Sequence, residues 1–168
     1  VTFSPSDHGT AVHEELPMPY KNPVIPGFYP DPSVCRVGTD YYLVSSSFEH
    51  FPGVPVFHSR DLVHWRQMGH CLTRDSQLPL RGVSSSAGIY APALRYHAGT
   101  FYMVTTNVAG GGHFCVKAQD PAGPWSEPLW IEGPWFDPDL FLGYARKADN
   151  NPNTPALFGY LNRRIQNG

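Results

Sequence analysis

Apolar residues in this chain fall into short runs broken by Gly, Pro, Ser or Asp, not into long helical stripes. Tyr41-Tyr42-Leu43-Val44, Val54-Pro55-Val56-Phe57-His58 and His64-Trp65-Arg66-Gln67-Met68 are three such runs. Runs of this length and bounding read as strands. With Val34 to Val37 they predict four strands, the content of one propeller blade. The plan recurs, with strands near residues 93–97, 101–106, 113–118 and 128–131. A third unit begins at Phe136-Asp137 and continues through Phe141. The polar, serine-rich insert from Thr73 to Gly88 reads as a loop, and Gly110-Gly111-Gly112 as a flexible turn. Residues 1–20 read as a polar, proline-bearing lead-in without period. After Phe141 the pattern fails: Gly143 to Pro155 reads as loop and Ala156 to Leu161 as one more strand.

One phrase opens each unit: Asp31-Pro32-Ser33-Val34, Ala91-Pro92-Ala93-Leu94 and Asp137-Pro138-Asp139-Leu140. Repeats at such spacing, with strand-like content, favour a propeller. The predicted fold is all-β: an incomplete propeller of about two blades plus the start of a third. Such a piece cannot close a ring, and an open propeller leaves strand edges bare.

Composition supports short strands and frequent turns: 18 prolines, 16 glycines, 14% aromatic and only 15% charged residues. A net charge of −2 without a basic cluster makes nucleic acid and anionic membrane poor partners. No apolar run reaches the ~18 residues of a membrane span. Cys35, Cys71 and Cys115 are an odd set without metal-like spacing. They read as single buried or half-buried thiols, with one disulfide plus a spare thiol as the alternative. No metal or cofactor is expected. No signal peptide is visible and the first residue is Val1, so a leader was removed or the chain was cut from a longer one. An extracellular setting is favoured over a cytoplasmic one.

Asp31 lies between Pro30 and Pro32 and follows Phe28 and Tyr29. Prolines on both sides stiffen the backbone, and a carboxylate held beside aromatics suits a sugar site. The plainer reading is a turn initiated by Asp-Pro. Asp137-Pro138 recurs at the equivalent point of a later unit, where both carboxylates face one mouth. Ala91 at the middle copy leaves room for a ligand. Two nearby carboxylates raise each other's pKa and divide into a base and a partner that orients or tunes. Phe48-Glu49-His50-Phe51-Pro52-Gly53 offers either a stacking wall or packing over a blade edge. His58, His64 and His97 read as hydrogen-bonded structural residues.

Asn22 through Ser33, Ser47 through Pro55, His58 through Trp65, Gly88 through Pro92 and Phe136 through Phe141 together resemble glycoside hydrolase family 43. The likeness is to its β-xylosidase branch, which also holds α-L-arabinofuranosidases. It implies a five-bladed β-propeller and an inverting mechanism. It makes Asp31 the general base and Asp137 the aspartate that tunes the acid's pKa and orients the sugar. Phe48, Ala91 and Phe136 match pocket-lining residues, and Tyr90 stands where the family usually has Trp. The family's general acid is a glutamate in a later blade. None of Glu14, Glu15, Glu49, Glu127 and Glu132 lies in a motif matching that acid. The expected division is therefore a lead-in at 1–20, a partial catalytic domain at 21–141 and a divergent tail at 142–168. The expected function is hydrolysis of xylo-oligosaccharides, impaired in this chain taken alone. The alternatives are an α-L-arabinofuranosidase, or a non-catalytic remnant that binds sugar weakly or does not fold stably.

Overall fold

The computed structural model describes residues 20–133, 136–143 and 156–161, with backbone alone for 141–143 and 156–161. Four strands, β1 (Ser33–Val37), β2 (Asp40–Val44), β3 (Gly53–Ser59) and β4 (Arg66–Leu72), form an antiparallel meander. A second meander follows from β5 (Ile89–His97), β6 (Thr100–Asn107), β7 (Gly112–Ala118) and β8 (Leu129–Ile131). A third sheet pairs β9 (Pro138–Gly143) with β10 (Ala156–Leu161). The expected all-β character is observed, including the strand at Ala156 to Leu161. The lead-in expected at residues 1–20 lies, apart from Tyr20, outside the described residues.

The repeat phrase places matching hairpins. Val37 pairs with Asp40 in the first unit and His97 with Thr100 in the second. The second turn has positive φ at both Ala98 (46°) and Gly99 (81°), the twist a two-residue hairpin requires.

Two boundaries depart from the sequence reading. The strand expected from His64 starts at Arg66. Asp61 Oδ1 accepts the amides of Val63 (2.9 Å) and His64 (2.8 Å), and its Oδ2 meets His64 Nδ1 at 2.7 Å. Trp65 Nε1 donates to Leu62 O at 2.9 Å, so His64 and Trp65 close a turn. At the other boundary, β5 begins at Ile89, four residues before the expected start at 93. Ile89 and Phe48 exchange backbone hydrogen bonds of 2.9 and 3.0 Å, tying the two sheets together beside the site. His58 is structural as expected, with Nε2 2.7 Å from Asp40 Oδ1.

One buried cluster joins Val44, Val54, Val56 and Leu72 of the first sheet to Ile89, Leu94, Met103 and Phe114 of the second. A second cluster joins Ala93, Val104 and Cys115 to Leu140 of β9. Removing this apolar surface from water fixes the three sheets against one another. The loop expected at Thr73 to Gly88 is a loop, yet it also supplies core. Leu78 is buried in the main cluster. Gln77, also buried, uses Oε1 to accept the amides of Thr73 (2.9 Å) and Arg74 (3.2 Å) and Nε2 to donate to Ser126 O (2.8 Å).

All three cysteines are free thiols: Cys35 half-buried, Cys71 and Cys115 buried. No disulfide forms. Burial pushes the Cys115 thiol up to about 11. Among the described residues no helix is long and apolar enough to cross a membrane.

Candidate active site

Asp31 and Asp137 stand just before β1 and β9, at the same point of their repeats. Both take the left-handed backbone conformation, with φ of 54° and 60°. Aspartate tolerates this region better than most residues, because its short polar chain can bond locally. Seven described non-glycine residues have positive φ, and four of them (Asp31, Phe48, Ser86 and Asp137) line one cavity. Strain of this kind concentrates at functional sites when the surroundings hold it in place.

That cavity has a volume of about 570 Å³ and brings the two carboxylates together. Ligand pockets commonly measure ~300–1,000 Å³, so a small saccharide fits the scale. Ser46 anchors the Asp31 segment at two points, one on the backbone and one on the carboxylate. Its amide donates to Pro30 O at 3.0 Å and its hydroxyl to Asp31 Oδ2 at 2.6 Å. Burial, and then the charge of Asp31, push the Asp137 carboxyl above its ordinary value.

Four aromatic rings run in sequence around the cavity. Phe28 stacks on Phe48 with centroids 5.9 Å apart, Phe48 meets Tyr90 edge-on at 5.6 Å, and Tyr90 meets Phe136 at 6.0 Å. The rings come from all three repeats. Phe28 and Phe136 are 72% and 51% exposed, which leaves ring surface free for a ligand. Of the two readings of the Phe48 turn, Phe48 itself serves the cavity wall. Ala91 follows Tyr90 in β5, half-buried at the irregularity where the pairing with β6 shifts register.

Glu49 closes the remaining side. Its carboxylate accepts from Ser85 Oγ (3.0 Å) and the Ser86 amide (2.9 Å), and Tyr90 Oη donates to Ser86 O at 3.1 Å. The bond from its own backbone amide, then the one from Ser85, hold Glu49 below its ordinary value. It therefore stays ionised, an acceptor that ties the 73–88 loop to the wall.

A family model, Glycosyl hydrolases family 43, matches residues 20–147. The chain belongs to glycosyl hydrolase family 43. Within the family it is 59% identical over 124 residues to a xylosidase/arabinosidase of Butyrivibrio fibrisolvens, covering 72% of this chain and 24% of that one. It is 54% identical over 125 residues to a non-reducing-end α-L-arabinofuranosidase of Bacteroides ovatus, again covering 72% and 24%. A solved xylan β-1,4-xylosidase of Bacillus halodurans superposes with a TM-score of 0.70 at 42% identity, covering 86% of this chain and 31% of that one. The chain thus spans about a quarter of the length of the curated relatives it matches.

The family 43 motifs led to Asp31, Asp137, Phe48, Tyr90 and Phe136, and all five line the cavity. Three contributors escaped the sequence reading. Ser46 sits in a plain serine run whose partner is 15 residues away. Ser85 and Ser86 lie in the loop and reach the wall through Glu49. The glycine before the middle repeat was the available signal: a Cβ on Gly88 would sit 2.2 Å from Phe48 O.

Proposed function

We propose that this chain carries the base side of an inverting glycosidase site acting on xylo-oligosaccharides. The observation that carries this reading is the shared cavity, where Asp31 and Asp137 face an arc of four rings. The two four-stranded sheets are then two propeller blades, and β9 with β10 opens a third. Residues 21–141 are the catalytic-domain portion, after a lead-in at 1–20 and before a tail at 142–168.

In this reading Asp31 is the general base. The Ser46 hydroxyl takes one lone pair of Oδ2 and holds the carboxylate in place for an incoming water. The aromatic arc stacks on the sugar's apolar face, with Ala91 leaving space beside it. Asp137, its carboxyl raised by burial and then by the Asp31 charge, orients the sugar and tunes a neighbouring acid. An inverting site needs a second, protonated carboxyl about 6.5–9.5 Å from the base. Glu49 does not fill that role, since its two accepted bonds keep it charged. The base alone leaves out a general-acid contribution typically worth ~10²–10⁴-fold. Binding should therefore outlast turnover in the 168-residue chain.

A titration with xylobiose, followed by NMR, tests this. Shifts should concentrate at Phe48, Tyr90 and Phe136, and turnover of an aryl β-xyloside should be slow and abolished in Asp31→Asn. No shift at those residues with either xylobiose or an arabinoside overturns the sugar reading. Arabinoside preference is the second reading, favoured by the likeness to the xylosidase/arabinosidase of Butyrivibrio fibrisolvens and the α-L-arabinofuranosidase of Bacteroides ovatus. A parallel aryl arabinofuranoside assay decides between them.

A further inference from the structure

Arg95 is the fifth residue of the middle repeat, and its guanidinium reaches both flanking copies. Nη1 donates to Leu94 O at 2.8 Å and lies 3.4 Å from Ser33 Oγ. Nε donates to Leu140 O at 3.2 Å, and Nη2 is ion-paired with the Asp139 carboxylate. Ser33 and Asp139 occupy the same, third, position of their phrases. Each is two residues beyond a cavity carboxylate, Asp31 or Asp137. Ser33 Oγ also accepts the Leu94 amide at 3.1 Å, and Asp139 Oδ1 accepts the Leu140 amide at 2.7 Å.

The strands concerned, β1, β5 and β9, belong to three separate sheets. No backbone ladder fixes one against another. Apolar contact and the Phe48–Ile89 bridge hold the sheets together, but neither is aimed at the segments that carry the two carboxylates. A guanidinium presents donors in a rigid fork, so its bonds fix direction as well as distance. A single proline, Pro32 or Pro138, separates Ser33 from Asp31 and Asp139 from Asp137, and its fixed φ stiffens the link, so a shift at Ser33 or Asp139 passes to the carboxylate.

We propose that Arg95 is a positioning residue that sets the separation of Asp31 and Asp137 by clamping the leading strands of all three repeats. The inference rests on the reading of that cavity as a sugar site, but its structural core can be tested apart from sugar binding. Arg95 is not a catalytic residue, since it stands behind the carboxylates and not in the cavity. The residues at its position in the flanking copies, Cys35 and Phe141, have no charge with which to do the same.

The titration of Asp137 reports the separation. Its upward displacement comes from burial and then from the Asp31 charge, and the second part falls off with distance. Besides Asp137, the titratable groups around the cavity are Asp31, Glu49, His50 and Tyr90, with Arg95 and Asp139 behind it. The experiment follows the Asp137 carboxyl carbon by NMR across pH in the full chain, in Arg95→Lys, Asp139→Asn and Asp31→Asn. Asp31→Asn calibrates the scale, since it removes the neighbouring charge and must lower the Asp137 midpoint. Arg95→Lys keeps the charge and loses the fork, so it should lower the midpoint by part of that amount and weaken xylobiose binding severalfold. The sign is diagnostic, because a cation moved away and acting through its charge alone would raise the midpoint. An unmoved or raised midpoint in a folded Arg95→Lys chain overturns the proposal. An unfolded Arg95→Lys chain overturns it as well, by making Arg95 purely structural. Absence of xylobiose binding in the unaltered chain would remove the sugar reading and leave the midpoint test standing.

Discussion

Asp137 makes a prediction about stability as well as chemistry. Its folded-state carboxyl titrates above the ordinary value, so the native chain binds more protons than the unfolded one in the interval between. Stability therefore falls as pH rises from the ordinary carboxylate value through the raised one, and the loss persists at neutral pH. Asp137→Asn removes that loss. The variant should melt at a higher temperature than the unaltered chain at pH 7. The difference should vanish below the ordinary carboxylate value, where both forms are neutral. Thermal scans at several pH values check this. A variant less stable at pH 7 would mean that the ionised carboxylate is favoured in the fold. Asp31 differs in having Ser46 as a dedicated donor at 2.6 Å.

The 73–88 loop and the turn after β2 decide the shape of the cavity at the level of elements. Gly88 has φ of 94°, and any Cβ there would lie 2.2 Å from Phe48 O. Gly88→Ala should break the Phe48–Ile89 exchange, and hydrogen exchange at the Ile89 amide should accelerate. Xylobiose affinity should fall with it. Gln77 is buried, and four backbone groups bond to it, since Nε2 also reaches Trp125 O at 3.3 Å. Leaving buried groups unsatisfied costs ~1–3 kcal/mol. Gln77→Ala should therefore destabilise by about 2 kcal/mol in a denaturant melt. A change under a few tenths would show that water replaces the side chain freely. Strand positions were legible in the sequence because bounded apolar runs mark them locally. The loop's contribution was not, because its anchors lie across the fold: Ser126 is 49 residues from Gln77.

For the whole molecule, the shared core predicts one unfolding unit. Leu94 is fully buried among residues of both four-stranded sheets. Leu94→Ala should cost ~2–5 kcal/mol, the usual range for a buried leucine. Amide exchange in β3, on the other sheet, should rise together with that in β6. Exchange confined to β5–β8 would show two independent units. The outer strand β8 is short, three residues with Leu129 65% exposed, which limits the edge it offers to other chains.

The sequence by itself determined the repeat, the strands and the two aspartates, because these depend on neighbours within a few residues. Asp-Pro before an apolar run specifies a backbone turn and a strand start whatever surrounds it. Two copies of one phrase also placed Asp31 and Asp137 at matching points. Only the tertiary structure decided what those points share: one cavity, one arc of rings, and a charge on Asp31 that displaces the titration of Asp137. Ser46, Glu49 and Arg95 acquired their roles there too. The physical reason is range. Local propensity acts along the chain, whereas hydrogen bonds and charges act through space: Ser46 lies 15 residues from Asp31, and Arg95 lies 62 from Ser33.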